Sequence, residues 1–380
     1  MRILTVNAGS SSLKLTVLED GQLRADQTLP TPGGRIEEGA VQQFLSDHGP
    51  VDAVGHRIVH GGTEFLGPVR LDEAVRQRLG ALTDLAPLHQ PKSLNALDLV
   101  TRLLPGVPAV AAFDTSFHAH LPPAAATYAL PREWRQRWGL QRFGFHGLSH
   151  AYASRRVGEL LGRDLATLRL VTCHLGSGAS LTAVDRGTSV DTTMGFTPLE
   201  GLVMGTRSGS VDPGLLLWLE EHTGMPPSEL AATLEHRSGL AGLAGSADLR
   251  EVLAAEARGD ADAGLAVGVY LHRLRAGIAS MVAALGGLDA IAFTGGVGEN
   301  SEVIRSRALE GLGFLGLALD PAKNRSGAPD REVGSVSAPV RAFVLRARED
   351  LEIARATAQV LSPGATPAGA PASPRPGPRA

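Results

Sequence analysis

The chain is poor in cysteine, poor in lysine and without a long hydrophobic run, and each shortage removes a class of protein. A single cysteine, Cys173, excludes an intramolecular disulfide and any metal site built on several thiolates. The longest apolar stretch, 276–288, is too short to span a bilayer and contains Gly286 and Gly287. Of 36 basic residues only Lys14, Lys92 and Lys323 are lysine, the arginines are scattered singly, and the net charge is −3. Nucleic acid as the main partner is thereby disfavoured, since a phosphate backbone needs a concentrated positive face. Met1 and Arg2 run straight into an alternating strand pattern with no apolar signal segment, so a cytoplasmic protein with no membrane partner is expected. No G-x-x-x-x-G-K-[ST] run occurs, which excludes a P-loop.

What the chain has in excess is glycine: 46 of 380 residues, against a usual share of ~7%. A chain of 380 residues suits two domains of roughly 100–200 residues each, and 43% hydrophobic with 20% charged residues describes a globular one. The glycines cluster in turns. Ile3 to Val6 reads as a strand, Asn7-Ala8-Gly9-Ser10-Ser11-Ser12 as a polar turn, and Leu13 to Leu18 as a returning strand. The same grammar reappears at 170: Leu170-Val171-Thr172-Cys173, then His174-Leu175-Gly176-Ser177-Gly178-Ala179-Ser180, then Leu181 to Val184. Asn7 falls opposite His174, Gly9 opposite Gly176 and Ser10 opposite Ser177. A repeat at this spacing is too long for a solenoid and suggests a duplicated domain.

Elsewhere the patterns predict strands over 51–60, 107–113 and 290–293, and helices over 72–82, 93–104, 265–285 and 349–361. Asp212-Pro213 reads as a helix start, Ser149 as a helix cap and Thr294 to Ser301 as a loop. Strands alternating with helices mean α/β. Residues 362–380 are mostly Pro, Ala and Gly, and are expected to be a disordered tail.

Two hairpin turns rich in Gly and Ser direct backbone N–H groups and hydroxyls into a concavity that suits phosphate oxygens. Lys14 follows the first turn, where its ammonium would neutralise phosphate charge. The segment Gly296-x-Gly298-x-x-Ser301 sits as a dinucleotide fingerprint would, but its third glycine is missing. Eight of the twelve histidines fall between His56 and His174. A zinc hydrolase is the rival reading of the pairs His56/His60 and His146/His150, weakened because no H-E-x-x-H occurs. Arg57 and Arg207, on glycine-flanked backbone, each offer a planar fork to carboxylate or phosphate oxygens.

Together these segments resemble the acetate kinase family over 1–361. The blocks that carry the resemblance appear in family order. They are Asn7-x-Gly9-Ser10-Ser11-Ser12-x-Lys14, His56-Arg57-Ile58-Val59-His60-Gly61-Gly62, Asp114-Thr115-Ser116-Phe117-His118, and the run from Phe143 to His150. His174 to Ser180, Asp191 to Pro213 and Phe293 to Ser301 complete the set. The resemblance implies two duplicated actin-like, ribonuclease H-like α/β domains flanking a nucleotide cleft. The expected division is 1–147, rejoined by the helix at 351–361, and 148–350. It also implies ATP/ADP with Mg²⁺ (or Mn²⁺ in its place), acetate and acetyl phosphate as small-molecule partners, and a homodimer.

By the same resemblance Asn7 and Glu349 would hold the metal. Ser10, Ser12, Lys14 and the turn His174, Leu175, Gly176, Ser177, Gly178 would meet phosphates. Asp248, Leu249 and Arg250, with Gly296, Val297, Gly298, Glu299 and Asn300, would hold adenosine. Arg57 would bind the substrate carboxylate, with Val59, Leu88, Phe145 and Pro198 around its methyl group. Asp114, His146 and Arg207 would be catalytic. A carboxylate acceptor is already ionised, so Asp114 is expected to orient a cation rather than remove a proton. The sequence departs from the family pattern at Ser177 and Ser210, where Asn and Asp are usual, and around Asp248 and Glu349. The reading is therefore a kinase for acetate, with propionate or another short-chain acid as alternative acceptor. A nucleotide-binding regulator that has lost catalysis is the alternative of another class.

Overall fold

The computed structural model describes residues 1–9, 12–87, 89–325 and 327–362. The chain forms two compact units, one of Met1–Ala119 together with the chain from Arg348 on, the other of His120–Ala347. Of the tail expected at 362–380 only Ser362 is described, where it ends the last helix; 363–380, like Ser10 and Leu88 of the expected site, lie outside the described residues.

The first unit is built on a six-stranded sheet, in the order β3-β2-β1-β4-β6-β5. β1 is Arg2–Ala8, β2 Ser12–Glu19, β3 Gln22–Pro30, β4 Ala53–Ile58, β5 Val69–Arg70 and β6 Ala109–Phe113. β1 pairs antiparallel with β2 and parallel with β4, which runs parallel to β6. The second unit repeats this plan with β7 (Arg169–Leu175), β8 (Ala179–Asp185), β9 (Thr188–Thr192), β10 (Ala290–Thr294), β11 (Arg331–Glu332) and β12 (Arg341–Val344). Its order, β9-β8-β7-β10-β12-β11, matches the first strand for strand, including the antiparallel edge. Even the irregularity in register recurs, between Val17 and Leu18 in β2 and between Ala183 and Val184 in β8. The hairpin repeat in the sequence is thus the start of two like sheets.

Helices cover these sheets where apolar residues recur at helical spacing. In the first unit the Glu38–His48 and Gln90–Leu103 helices bury Val41, Phe44, Ala96 and Val100 against Leu4, Leu15 and Val54. A separate cluster joins Leu79, Leu94 and Leu97 to Ile58 and Phe113. On the opposite face the Glu349–Leu361 helix seals Ile3, Leu18 and Ala53 with Ala354. That packing is close, because a Cβ on Gly55 of β4 would stand 2.6 Å from a methyl of Ile353. In the second unit the Ala261–Leu285 helix approaches β8 through Gly277, where a Cβ would lie 2.8 Å from Leu181.

The helix starting at Pro213 is capped by Asp212 as its sequence predicts. Two local expectations are corrected. Ser149 does not cap its helix, which begins at Gly147 with His146 at the N-cap in a left-handed conformation (φ 57°). Thr294 to Ser301 is not a loop throughout, since Gly295–Asn300 winds into a helix. The buried Arg305 guanidinium holds that turn by donating to the Gly298 and Glu299 carbonyls, and Asn300 Nδ2 donates to the Gly296 carbonyl.

Candidate active site

In the first unit the parallel strands end together, and their carboxyl ends carry the chemistry, as in other α/β sheets. Asn7 lies near the end of β1, Arg57 near the end of β4, and Asp114 directly after β6. Glu349 opens the last helix. The four form one hydrogen-bonded cluster. Arg57 Nε donates to Asp114 Oδ1 at 2.9 Å, and its NH2 donates to Oδ2 at 2.5 Å. NH1 donates to Asn7 Oδ1 at 3.0 Å, and Asn7 Nδ2 donates to Glu349 Oε2 at 2.7 Å. Glu349 Oε2 lies 4.0 Å from Arg57 Nε.

This cluster is largely withdrawn from water, with the Asp114 side chain 1% exposed and that of Arg57 14%. Burial alone would weaken the Arg57 charge, but Asp114 and Glu349 reverse the effect and hold it more firmly protonated than usual. Burial lifts the Asp114 carboxyl above its ordinary range, while the arginine fork pulls back. The bidentate geometry keeps the pair charged. Arg57 NH1 also donates to the Ala8 carbonyl at 3.5 Å; a guanidinium has five N–H donors, so one N–H on NH2 remains for an incoming anion. Val59 is buried just beyond β4. Lys14 stands opposite Asn7 in the β1–β2 register, and the Gly9 amide closes the intervening turn on the Ser12 carbonyl at 2.8 Å.

In the second unit the equivalent turn, between β7 and β8, is the meeting point. Gly176 N donates to the Gly178 carbonyl at 2.9 Å. A Cβ added to Gly178 would come within 3.3 Å of the His146 ring and 3.4 Å of Arg207 NH1. The missing side chain is what lets both groups reach the turn. The His146 ring stacks on His174 with centroids 4.3 Å apart. Behind it runs a chain of hydrogen bonds: His146 Nδ1 to Ser180 Oγ (2.9 Å), Ser180 Oγ to His150 Nε2 (2.8 Å), and His150 Nδ1 to Thr172 Oγ1 (2.7 Å). Such a chain fixes which imidazole nitrogen carries the proton. Arg207 donates from NH1 to the Pro198 carbonyl at 2.9 Å and pairs through Nε with Glu235 at 3.3 Å. Burial lowers its pKa, against the pull of Glu235. Phe145 is buried one residue before His146.

Beside this turn lies a cavity of about 610 Å³, within the range that holds small-molecule ligands. Gly176, Ser177, Asp248, Leu249, Arg250, Gly296, Val297 and Asn300, all expected nucleotide contacts, line it. The chain enters the Gly296–Asn300 part of this lining through Gly295, in a left-handed turn (φ 79°) so tight that a Cβ would strike the Leu175 carbonyl at 2.7 Å. Two expected contacts point elsewhere. Glu299 Oε1 accepts from the Ala347 amide, and Gly298 is buried against Phe293. Asp248 caps the Leu249–Ala257 helix and pairs with Arg250, which holds its carboxyl down at about 2. Sequence reasoning missed Glu235, Tyr270 on the cavity wall, and the Ser180–His150–Thr172 chain. The last could be sought in the histidine-rich blocks, whereas nothing local marks Glu235.

The acetokinase family model matches residues 35–355. The chain belongs to the acetokinase family. An acetate kinase of Nostoc punctiforme is 42% identical, over 95% of this chain and all of its own. One from Leifsonia xyli is 43% identical, over 95% and 99%. Among solved structures, the acetate kinase of Porphyromonas gingivalis superposes with a TM-score of 0.85 at 35% identity, covering 95% of this chain and all of the other. A propionate kinase of Francisella tularensis gives 0.86 at 33%, over 95% and 100%. The α/β fold class expected from the sequence is therefore the one found. Acetokinases use ATP, and among the described residues no helix of this one is long and apolar enough to cross a membrane.

Proposed function

We infer that this acetokinase transfers the γ-phosphoryl group of ATP reversibly to acetate, giving acetyl phosphate and ADP. The observation that carries the reading is the identity of 42–43% with acetate kinases along nearly their whole length. The geometry agrees with it. A carboxylate nucleophile needs no base; what opposes reaction is repulsion between two anions. Arg57 answers this on the acceptor side, gripped by Asp114 so that its remaining NH2 donor stays aimed. Asp114 thus acts by orienting the arginine. Arg207 and His146, brought to the Gly178 turn, would take the equatorial oxygens of the transferring group. Positioned arginines of this kind are worth ~10³–10⁵ in rate. The cavity of about 610 Å³ would seat the nucleotide.

Mg²⁺ is a hard ion that binds through one or two carboxylates, with water and phosphate oxygens completing its shell. Asn7 Oδ1, which accepts from Arg57 NH1, and the Glu349 carboxylate, which accepts from Asn7 Nδ2, are the oxygen donors that would fit it; Mn²⁺ would serve in its place. When bound it would neutralise charge on the β- and γ-phosphates. Val59 would meet the methyl group of the acceptor, and propionate is the competing acceptor, one methylene being worth only ~1–3 kcal/mol. We also propose a cytoplasmic homodimer. The Pro213–Thr223 helix buries none of its residues and leaves Leu215, Leu217 and Trp218 47%, 61% and 51% exposed, a surface that suits a second copy.

Purified protein with ATP, Mg²⁺ and acetate, propionate or butyrate, with hydroxylamine trapping the acyl phosphate, tests the reaction. A hydroxamate signal with kcat/KM highest for acetate is expected. Nucleotide binding without product would instead mark a regulator. Light scattering should report a dimer, converted to monomer by Leu217→Glu.

A further inference from the structure

The Pro227–His236 helix buries none of its residues, so apolar packing does not explain where it sits. Its last turn and the residues that follow are instead laid along the Arg207 segment. The Ser208 amide donates to the Leu234 carbonyl at 3.1 Å, and the Thr206 hydroxyl to the Glu235 carbonyl at 2.8 Å. The Ser238, Leu240 and Ala241 amides donate in turn to the carbonyls of Thr206, Met204 and Gly205, at 2.9–3.0 Å. Gly239, in a left-handed conformation (φ 62°), lets the two stretches close up, since a Cβ there would stand 2.6 Å from the Arg207 carbonyl oxygen. This docking delivers one side chain to the site: Glu235 reaches Arg207.

Residues 204–210 contain no acid of their own. Among the described residues Glu235 is the one carboxylate paired with Arg207, its Oε1 standing 3.3 Å from Nε. The side chains of Arg207 and Glu235 are 15% and 14% exposed, so water and salt screen this pair less than one on the surface. The guanidinium is thereby held at two corners. Nε faces Glu235 and NH1 donates to the Pro198 carbonyl at 2.9 Å, while NH2 has no partner among the described residues. A rigid planar fork fixed at two of its nitrogens has one orientation left to it. We propose that Glu235 is a positioning residue for phosphoryl transfer: it sets the plane of Arg207 beside the β7–β8 turn, so that the NH2 edge meets the transferring group. Burial weakens the Arg207 charge and the same carboxylate opposes that loss. The assignment rests on the part proposed above for Arg207 in the kinase reaction.

The test compares the full chain with Glu235→Gln, Arg207→Ala and the double variant. Hydroxamate kinetics give kcat and KM, and calorimetry gives the affinity for MgADP alone and for MgADP with aluminium fluoride and acetate, a mimic of the transferring phosphoryl group. Glu235→Gln should lower kcat roughly tenfold, within the coupling range of residues in contact, and leave the KM for ATP and for acetate within twofold. Affinity for the fluoride complex should fall by the same factor while that for MgADP alone holds. In the Arg207→Ala background the second substitution should change none of these by more than twofold. The urea midpoint should not move, because the Pro227–His236 helix carries no buried residue. Glu235→Gln at the wild-type kcat, or its full effect persisting without Arg207, overturns the assignment. So does an equal loss of MgADP affinity with a lower midpoint, which marks a residue that only supports the fold. No acyl phosphate from the wild type, or Arg207→Ala at near-normal kcat, sinks the function proposed above and the assignment with it.

Discussion

Replacing Asp114 by Asn tests how the Arg57 cluster works. The substitution keeps shape but removes a charge from a pair whose side chains are 1% and 14% exposed. Breaking one partner of a buried ion pair costs ~3–5 kcal/mol, because the other charge stays buried and unpaired. An asparagine oxygen can still accept one of the two bonds at 2.5 and 2.9 Å, so the lower end applies, roughly 3 kcal/mol. Spent on the orientation of Arg57, that is a fall of ~10²-fold in kcat/KM for acetate. The KM for ATP should change little, since the cavity expected to seat the nucleotide is lined by residues of the other unit. Steady-state kinetics over a matrix of ATP and acetate separate the two effects, and urea unfolding shows how much of the loss is in the fold. Were Asp114 a proton acceptor, the variant would lose kcat with a new pH dependence and leave acetate KM alone. Such a result, or acetate kinetics within threefold of wild type, refutes the argument.

Three further outcomes are expected. Gly178→Ala should lower kcat at least tenfold with little loss of stability, because the added methyl displaces His146 and Arg207, 3.3 and 3.4 Å away, and not the core. Gly295→Ala should cost ~1–3 kcal/mol in urea unfolding and weaken ATP binding in calorimetry, since it combines φ 79° with a clash against the Leu175 carbonyl. The His56 imidazole, pushed by burial from 6.5 to about 4 against a weak opposing pull from Asp98, binds fewer protons folded than unfolded between those values. Stability should therefore be full above pH 6.5 and fall by roughly 3 kcal/mol as the pH drops to 4. His56→Phe should flatten that part of the urea-midpoint profile.

Much of this was legible in the sequence because the signals were local. The two hairpins, the Asp212-Pro213 helix start and the helix from Glu349 to Leu361 each rest on a few adjacent residues, and all are present. The misreadings arose where distant groups decide. Gly295–Asn300 has the composition of a loop, and becomes helical with Arg305 buried beneath its carbonyls. Ser149 looks like a cap, but its hydroxyl is taken by His174 Nδ1 at 2.8 Å, and His146 adopts the strained cap position instead. Glu235 sits in the Pro227–His236 helix with no motif around it, and only the folded chain sets it against Arg207. Asp114 was expected near a cation; the fold makes that cation Arg57.

Asn7 and Glu349, partners in one hydrogen bond, are separated by 342 positions. The whole of the second unit is threaded into the first between Ala119 and Arg348. On the ribosome, residues 120–347 can emerge and close around their own sheet while the earlier half still waits for its final helix. Catalytic competence therefore arrives with the last stretch of translation, and a message truncated before codon 349 leaves the first unit without the helix that covers one face of its sheet.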